Sequence, residues 1–216
     1  MSTLNFDKVS EGSTLNFTKD RNINLGLAGN IMINLNWGVP AGVDSVDLDS
    51  SLTLISSGAA AAPSTGFLGR MFGAAKAAVV GKGISAFVYC FDKSCGKGVK
   101  HYGDDRTGAW AAGEFIEIDA TKLESNICEI VPGVLSYSGH DMSTLPFAHV
   151  RVYLGTKNRV DVPLFEADLK AVPRGTMGAV FGKLTKNEAG EWSWTTQQKL
   201  SSTKSFDSLK AMSATL

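Results

Sequence analysis

The chain has 216 residues, of which 44% are hydrophobic, and 21 Lys and Arg balance 21 Asp and Glu. This balance disfavours a nucleic-acid-binding protein, because binding to phosphates requires an excess of basic residues. The hydrophobic content is enough for a packed core and excludes a wholly disordered chain. No stretch approaches the roughly 20 apolar residues of a membrane-spanning helix. Because the start of the chain also lacks the pattern of a secretory signal, we expect one cytoplasmic domain.

Short alternating segments run through most of the chain. The first are two copies of TLNF, at 3–6 and 14–17, with a Gly between them that favours a hairpin. Many short strands separated by turn residues predict an all-β sandwich. The later strand candidates are SSLTLIS (50–56), SAFVYCF (85–91), EFIEIDA (114–120), NICEIVPGVLSY (126–137), AHVRVYLG (148–155), VDVPLFEADL (160–169), GAVFGKLTK (178–186) and EWSWTTQQ (191–198).

Helical patterns are few. The tail places Phe206, Leu209 and Met212 at a spacing of three after Ser and Thr residues that favour a helix start, so we expect a short helix there. The segment DATKLESNI (119–127) favours one or two helical turns.

A segment rich in Ala and Gly, 56–83, interrupts the pattern of strands. Its second part, 67–80, places its apolar residues within an arc of roughly 140° on a helical wheel. This predicts an amphipathic helix that packs on the sandwich or on a second subunit. The alternative is a helix that docks on a membrane surface or a partner protein. Its contact residues would be Phe67, Leu68, Met71 and Phe72.

Aspartates cluster where one predicted strand begins. Asp47 and Asp49 are two residues apart, so their side chains project to the same face of a strand, opposite Leu48. Two adjacent like charges repel and favour a cation between them. Asp44 lies just upstream and would reach the same space.

A second acidic cluster lies in GDDRTG (103–108), where Asp104 and Asp105 stand between glycines that permit positive φ. Glu114 follows at the start of the next strand. Carboxylates and Gly-rich backbone suit Ca²⁺, which takes about six to eight oxygen ligands. The histidines and cysteines lack the spacing of a zinc site. The alternative interpretation is that these aspartates are solvated turn residues.

The chain resembles the TerD family, the tellurium-resistance and general stress proteins of bacteria. The segment 47–51 is similar to the main part of the family stretch D-x-D-L-D-[AS]-S, and 103–108 is similar to G-D-N-x-T-G. VFGKLTKNEAGEW (180–192) is similar to the family pattern VFGELYRNG…EW. These similarities follow one another in order from about residue 4 to residue 210.

The resemblance implies an all-β sandwich of two mainly antiparallel sheets that binds one or two calcium ions and acts in stress resistance without catalysis. It implies that Asp47, Asp49 and Asp104 are ligands, that Asp105 replaces the usual Asn, and that Glu114 matches an acidic residue closing the second loop. The implied partners are other stress-response proteins or a second copy, with peripheral membrane contact as a further alternative and no nucleic acid.

Three departures from the family pattern indicate a divergent member. Ser45 stands where the first Asp of the family triplet belongs. The acidic loop E-G-E-G-D-D is replaced by 109–113, which removes most of its carboxylates. The segment 56–83 stands where a short hairpin loop is expected.

Enzymatic functions are less well supported. Ser138, His140 and Asp141 lie close together in SGHDM, without the G-x-S-x-G turn of a hydrolase nucleophile. GAVFGK (178–183) is one residue short of a phosphate-binding loop. Thiol chemistry with tellurite by Cys90, Cys95 and Cys128 is a further alternative, disfavoured because buried cysteines are inert.

Overall fold

The computed structural model of the protein describes residues 22–26, 29–59, 81–93, 98–109 and 113–216. Across these residues, eleven strands form two antiparallel sheets, which confirms the predicted all-β sandwich. The strands are β1 (Asn22–Gly26), β2 (Asn30–Trp37), β3 (Leu48–Ala59), β4 (Gly81–Val88), β5 (Val99–His101), β6 (Glu114–Asp119), β7 (Ile127–Ser136), β8 (Ala148–Thr156), β9 (Arg159–Asp168), β10 (Gly178–Lys186) and β11 (Trp192–Ser201).

The strands divide between a six-stranded and a five-stranded sheet. The six-stranded sheet has the order β1-β11-β10-β7-β3-β4, and the five-stranded sheet has the order β5-β6-β2-β8-β9. Strands β3 and β6, which contain or follow the predicted acidic residues, therefore belong to different sheets. They meet across the interior of the sandwich.

Alternation along the strands builds the core. In β3, Leu48, Leu52 and Leu54 are almost completely buried between the sheets. Leu52 and Leu54 pack with residues of both sheets, including Ile33 of β2 and Trp194 of β11. Leu48 belongs to a second core cluster. Because successive strand residues point to opposite faces, the odd-numbered residues of this part of β3 lie on the other face of the six-stranded sheet.

That other face is covered by a helix, α1 (Phe206–Ala214), which confirms the predicted C-terminal helix. Ser205 caps it by accepting a hydrogen bond from the backbone amide of Ser208. Leu209 is fully buried and packs against Ile55 of β3. Full burial of such a side chain stabilises the fold by about 1.5–3 kcal/mol.

The segment 56–83 is partly strand. β3 continues to Ala59 and pairs with β4 from Gly81, so the hairpin strands extend beyond the predicted boundaries. The predicted helix with Phe67, Leu68, Met71 and Phe72 lies outside the described residues, as does the predicted TLNF hairpin.

The prediction of helical turns at 119–127 is wrong. The carboxylate of Asp119 accepts hydrogen bonds from the amide and hydroxyl of Thr121, and two backbone turns follow. Aspartate favours this local turn over helix because its short side chain competes for the backbone amides. Within the part of the chain that the structure describes, no helix is long and apolar enough to cross a membrane.

Candidate metal centre

The two predicted acidic loops meet at one end of the sandwich. Asp47 precedes β3 and Asp49 lies within it, while Asp104 belongs to the loop between β5 and β6. One carboxylate oxygen from each of these three residues lies within 4.8 Å of the others. The tertiary structure thus brings together three of the six predicted ligands, from segments more than fifty residues apart.

Each of the three carboxylates has a buried oxygen without a hydrogen-bond partner among the described residues. These atoms are Oδ1 of Asp47, Oδ2 of Asp49 and Oδ1 of Asp104. Asp49 is only 1% exposed. Unpaired buried carboxylate oxygens are rare because their lost hydration is not compensated. A cation bound between them would supply that compensation.

The electrostatic environment of the three carboxylates also favours a bound cation. Burial raises the pKa of Asp47, and the nearby charge of Asp104 raises it further. Burial likewise raises the pKa of Asp49 to about 7, against the opposing effect of a hydrogen bond with Cys90. The field of Arg106 lowers both pKa values, but it forms no ion pair with the three carboxylates. The described part of the chain therefore provides no cation in direct contact with them.

The other three predicted ligands have different environments. Asp44 is exposed and lies outside the group. Asp105 is buried, and its Oδ1 accepts hydrogen bonds from the amide and hydroxyl of Thr107 at 3.0 and 2.9 Å. This is a local turn that Asp and Asn both form. Glu114 is buried as well but lies outside the group of three.

Glu114 connects the two acidic segments. Its Oε2 accepts hydrogen bonds from the amide and hydroxyl of Ser50 at 2.9 and 2.8 Å, and its Oε1 accepts one from the amide of Asp105 at 3.0 Å. Ser50 follows Asp49, and Asp105 follows Asp104. Burial raises the pKa of Glu114 to about 8, although these hydrogen bonds oppose the shift. Glu114 therefore holds the neighbours of two clustered aspartates in place.

Comparison with known proteins shows which type of fold the chain has. No family model matches the chain, and no curated protein matches it. The structure is similar to that of SAV2460, a protein of unknown function, with a TM-score of 0.66 and 17% identity over 86% of this chain and 97% of that one. It is also similar to SCO6318 from Streptomyces coelicolor A3(2), a homologue of telluride resistance protein (TerD). That alignment has a TM-score of 0.65 and 16% identity, and it covers 86% of this chain and 98% of the other. The chain has a TerD-like fold.

The motifs at 47–51 and 103–108 therefore indicated the fold correctly. Within the TerD-like fold they occupy the start of β3 and the loop after β5, so both contribute to the same end of the sandwich. Gly103 and Gly108 have positive φ values of 139° and 69°, as the glycines flanking the second motif were predicted to have.

His101 is a residue of this site that the sequence analysis did not identify. It is 4% exposed, and its Nδ1 accepts a hydrogen bond from the amide of Gly103 at 3.2 Å. Its Nε2 therefore carries the proton and donates a hydrogen bond to the hydroxyl oxygen of Ser50, 3.2 Å away. Burial lowers the pKa of His101 to about 4, so the ring is neutral at pH 7. Its position two residues before Gly103-Asp104 was the only available signal.

The residues of SGHDM do not form a catalytic triad. Ser138 Oγ lies 2.7 Å from Nδ1 of His140. The carboxylate of Asp141 instead accepts hydrogen bonds from Ser143 and from the amide of Gly175. It thereby caps a short 3-10 helix, Met142–Thr144. A triad would require the aspartate to orient the histidine.

Proposed function

We propose that this protein binds one calcium ion through Asp47, Asp49 and Asp104. We further propose that it acts without catalysis in a tellurite-resistance-type stress response in the cytoplasm. The observation that carries the metal site is the convergence of three buried, unpartnered carboxylate oxygens. Burying several like charges costs several kcal/mol unless a cation neutralises them. The TerD-like fold supports the type of stress response.

The available donor atoms suit calcium. Three carboxylates offer hard oxygen ligands, and Ca²⁺ completes its shell with backbone carbonyls and water. Among the described residues, the thiol near the site is that of Cys90, which is outside the group of ligand atoms. Burial and the neighbouring Asp49 raise its pKa well above the usual range. A protonated thiol is a poor metal ligand. The site therefore disfavours soft metals.

An exposed aromatic patch supports action through a protein partner. Phe91 and Tyr137 are 67% and 44% exposed, with ring centroids 5.9 Å apart. Tyr89 packs against Phe91 at 5.6 Å and against Phe206 of α1 at 4.7 Å. Clustered exposed aromatics mark protein-binding surfaces.

The aromatic patch adjoins the candidate metal centre. The backbone amide of Tyr137 donates to the carbonyl of Asp47 at 3.0 Å. Cys90, whose thiol contacts Asp49, lies between Tyr89 and Phe91. A partner bound at the patch would therefore sense whether the metal centre is occupied.

Calorimetric calcium titration of chelator-treated protein tests the metal site. We expect one saturable site in the wild type and its loss in Asp104→Ala. Asp44→Ala is the matched control, because Asp44 lies on the same segment but outside the group. Absence of binding to the wild type, or equal loss in both variants, would contradict the proposed site.

The partner surface needs a separate test. Phe91→Ser should abolish a calcium-dependent complex detected by light scattering or pull-down from stressed cells. Phe147→Ser, at a residue that is also 40% exposed but outside the patch, should leave the complex intact. Equal behaviour of the two variants would contradict a specific role for the patch.

A further inference from the structure

The outer face of the five-stranded sheet carries a cavity of about 430 Å³, away from the candidate metal centre. Its floor consists of side chains from β2, β6 and β8, among them His149 and Arg151. Its wall is the turn between β8 and β9, with Lys157, Asn158 and Arg159. Ligand pockets commonly measure about 300–1,000 Å³. The cavity is therefore large enough for a small metabolite.

The β8–β9 hairpin curls over the sheet to form this wall. Its ladder has two irregularities, at Val152/Tyr153 and at Leu154/Gly155. Such irregularities bend a strand and change the direction of its side chains. Gly155 has a φ of 146°, and a Cβ there would collide with the carbonyl oxygen of Arg159. The curl thus depends on a glycine at this position.

Lys157 shows how far the hairpin reaches. Its Nζ lies 5.2 Å from the ring centroid of Phe115 in β6 and 5.3 Å from that of Tyr102. The ammonium group therefore extends over the sheet from the β8–β9 turn. Lys157 forms no ion pair within the described part of the chain.

The lining of the cavity is basic. Its lining includes Arg151, Lys157 and Arg159, and no Asp or Glu. Arg151 donates only its Nε–H, to Glu166 at 2.9 Å, and its other guanidinium N–H groups make no hydrogen bond with described residues. Arg159 forms an ion pair with Asp161, so it contributes less positive charge to the cavity. A cleft lined by cations without interspersed carboxylates raises the local concentration of anions.

We propose that this cavity binds a small organic phosphate. The phosphate would accept hydrogen bonds from Arg151 and Lys157, since a guanidinium and an ammonium are the side chains best suited to phosphate oxygens. His149 and Asn158 line the same cavity and offer hydrogen-bonding groups for hydroxyls of the ligand. This site requires no calcium and is independent of the function proposed above.

The test is a calorimetric titration of the full chain with ribose 5-phosphate in the presence of a chelator. We expect saturable binding, with ribose and inorganic phosphate each binding at least about tenfold more weakly. Lys157→Gln and Arg151→Gln should each weaken binding about tenfold, because each removes a charged hydrogen-bond donor. Lys170→Gln, at an exposed residue outside the cavity, should bind like the wild type.

Two sets of outcomes would overturn the proposal. One is no binding of ribose 5-phosphate at millimolar concentration, or equal binding of inorganic phosphate. The other is unchanged binding in both Lys157→Gln and Arg151→Gln, with melting curves showing that the variants are folded. Asp104→Ala should retain binding, which separates failure of this site from failure of the calcium site.

Discussion

Glu114 accepts hydrogen bonds from both the backbone amide and the hydroxyl of Ser50, at 2.9 and 2.8 Å. These bonds join the start of β6 in one sheet to the start of β3 in the other. Both residues are essentially fully buried. The contact therefore fixes how the two acidic segments approach each other, without placing Glu114 in the carboxylate group itself.

Glu114→Gln should lower both the stability and the affinity for calcium. Both carboxylate oxygens accept hydrogen bonds from N–H groups, so one of these donors would face an amide NH₂ in the variant. A buried donor left without an acceptor costs about 1–3 kcal/mol. Denaturant unfolding and calcium calorimetry measure the two effects. Glu124→Gln, at an exposed residue, is the control and should change neither. A variant as stable as the wild type would contradict the positioning role.

Asp49→Asn should have opposite effects with and without calcium. The pKa of Asp49 is raised to about 7 by burial and by neighbouring carboxylates, so its charge destabilises the metal-free fold. Removing that charge should stabilise the chelated protein by about 1 kcal/mol or more. The same change should remove the stabilisation that calcium gives to the wild type. Thermal melts in chelator and in calcium measure both. A loss of stability in chelator would show that the aspartate does not carry an unfavourable charge.

The metal-free protein should lose stability as the pH rises from about 7 to about 8, and the loss should level off once the pH exceeds the folded pKa of Glu114. Folding raises the pKa of Glu114 from 4.5 to about 8 and that of Asp49 from 3.8 to about 7. A carboxyl with a raised folded pKa stabilises the fold while it is protonated, and this contribution is lost as the pH rises through the folded pKa.

His101 changes the pH dependence of stability in the opposite direction, but in a lower pH range. Its pKa falls from 6.5 to about 4 on folding, so it favours the folded state above pH 6.5 and loses this contribution below it. It therefore does not change the slope above pH 7. Melting temperatures in chelator should decline across that range, and calcium should reduce the decline. A melting temperature that rises with pH in chelator would contradict this assignment.

Gly113→Ala should disrupt the candidate metal centre through the backbone. Gly113 has a φ of 69°, and a Cβ there would collide with the carbonyl oxygen of Leu35. Gly42 has a similar φ of 82° but open space around it. Gly42→Ala should therefore cost only the strain of positive φ, about 1–2 kcal/mol. Gly113→Ala should cost more and displace Glu114, which denaturant unfolding and calcium calorimetry would detect. Equal costs for the two variants would rule out the collision as the cause.

The sequence by itself determined where strands form and which of their residues face the core. The alternation of Leu48, Leu52 and Leu54 with polar residues is a local property, because the period of two follows from the backbone of a single strand. For the same reason the spacing of Asp47 and Asp49 predicted that their carboxylates lie together. The apolar spacing in α1 was equally local, and the helix lies where it was predicted.

Only the tertiary structure decided which distant segments meet. Asp104 reaches Asp47 and Asp49 because β3 and β5 lie in different sheets that face each other. The order of strands in a sheet cannot be deduced from the periodicity of any single strand. The same applies to the contact of Ser50 with Glu114. The basic cavity depends on a bend of the β8–β9 hairpin, which arises from ladder irregularities between two strands. Local alternation carries no information on such cross-strand geometry.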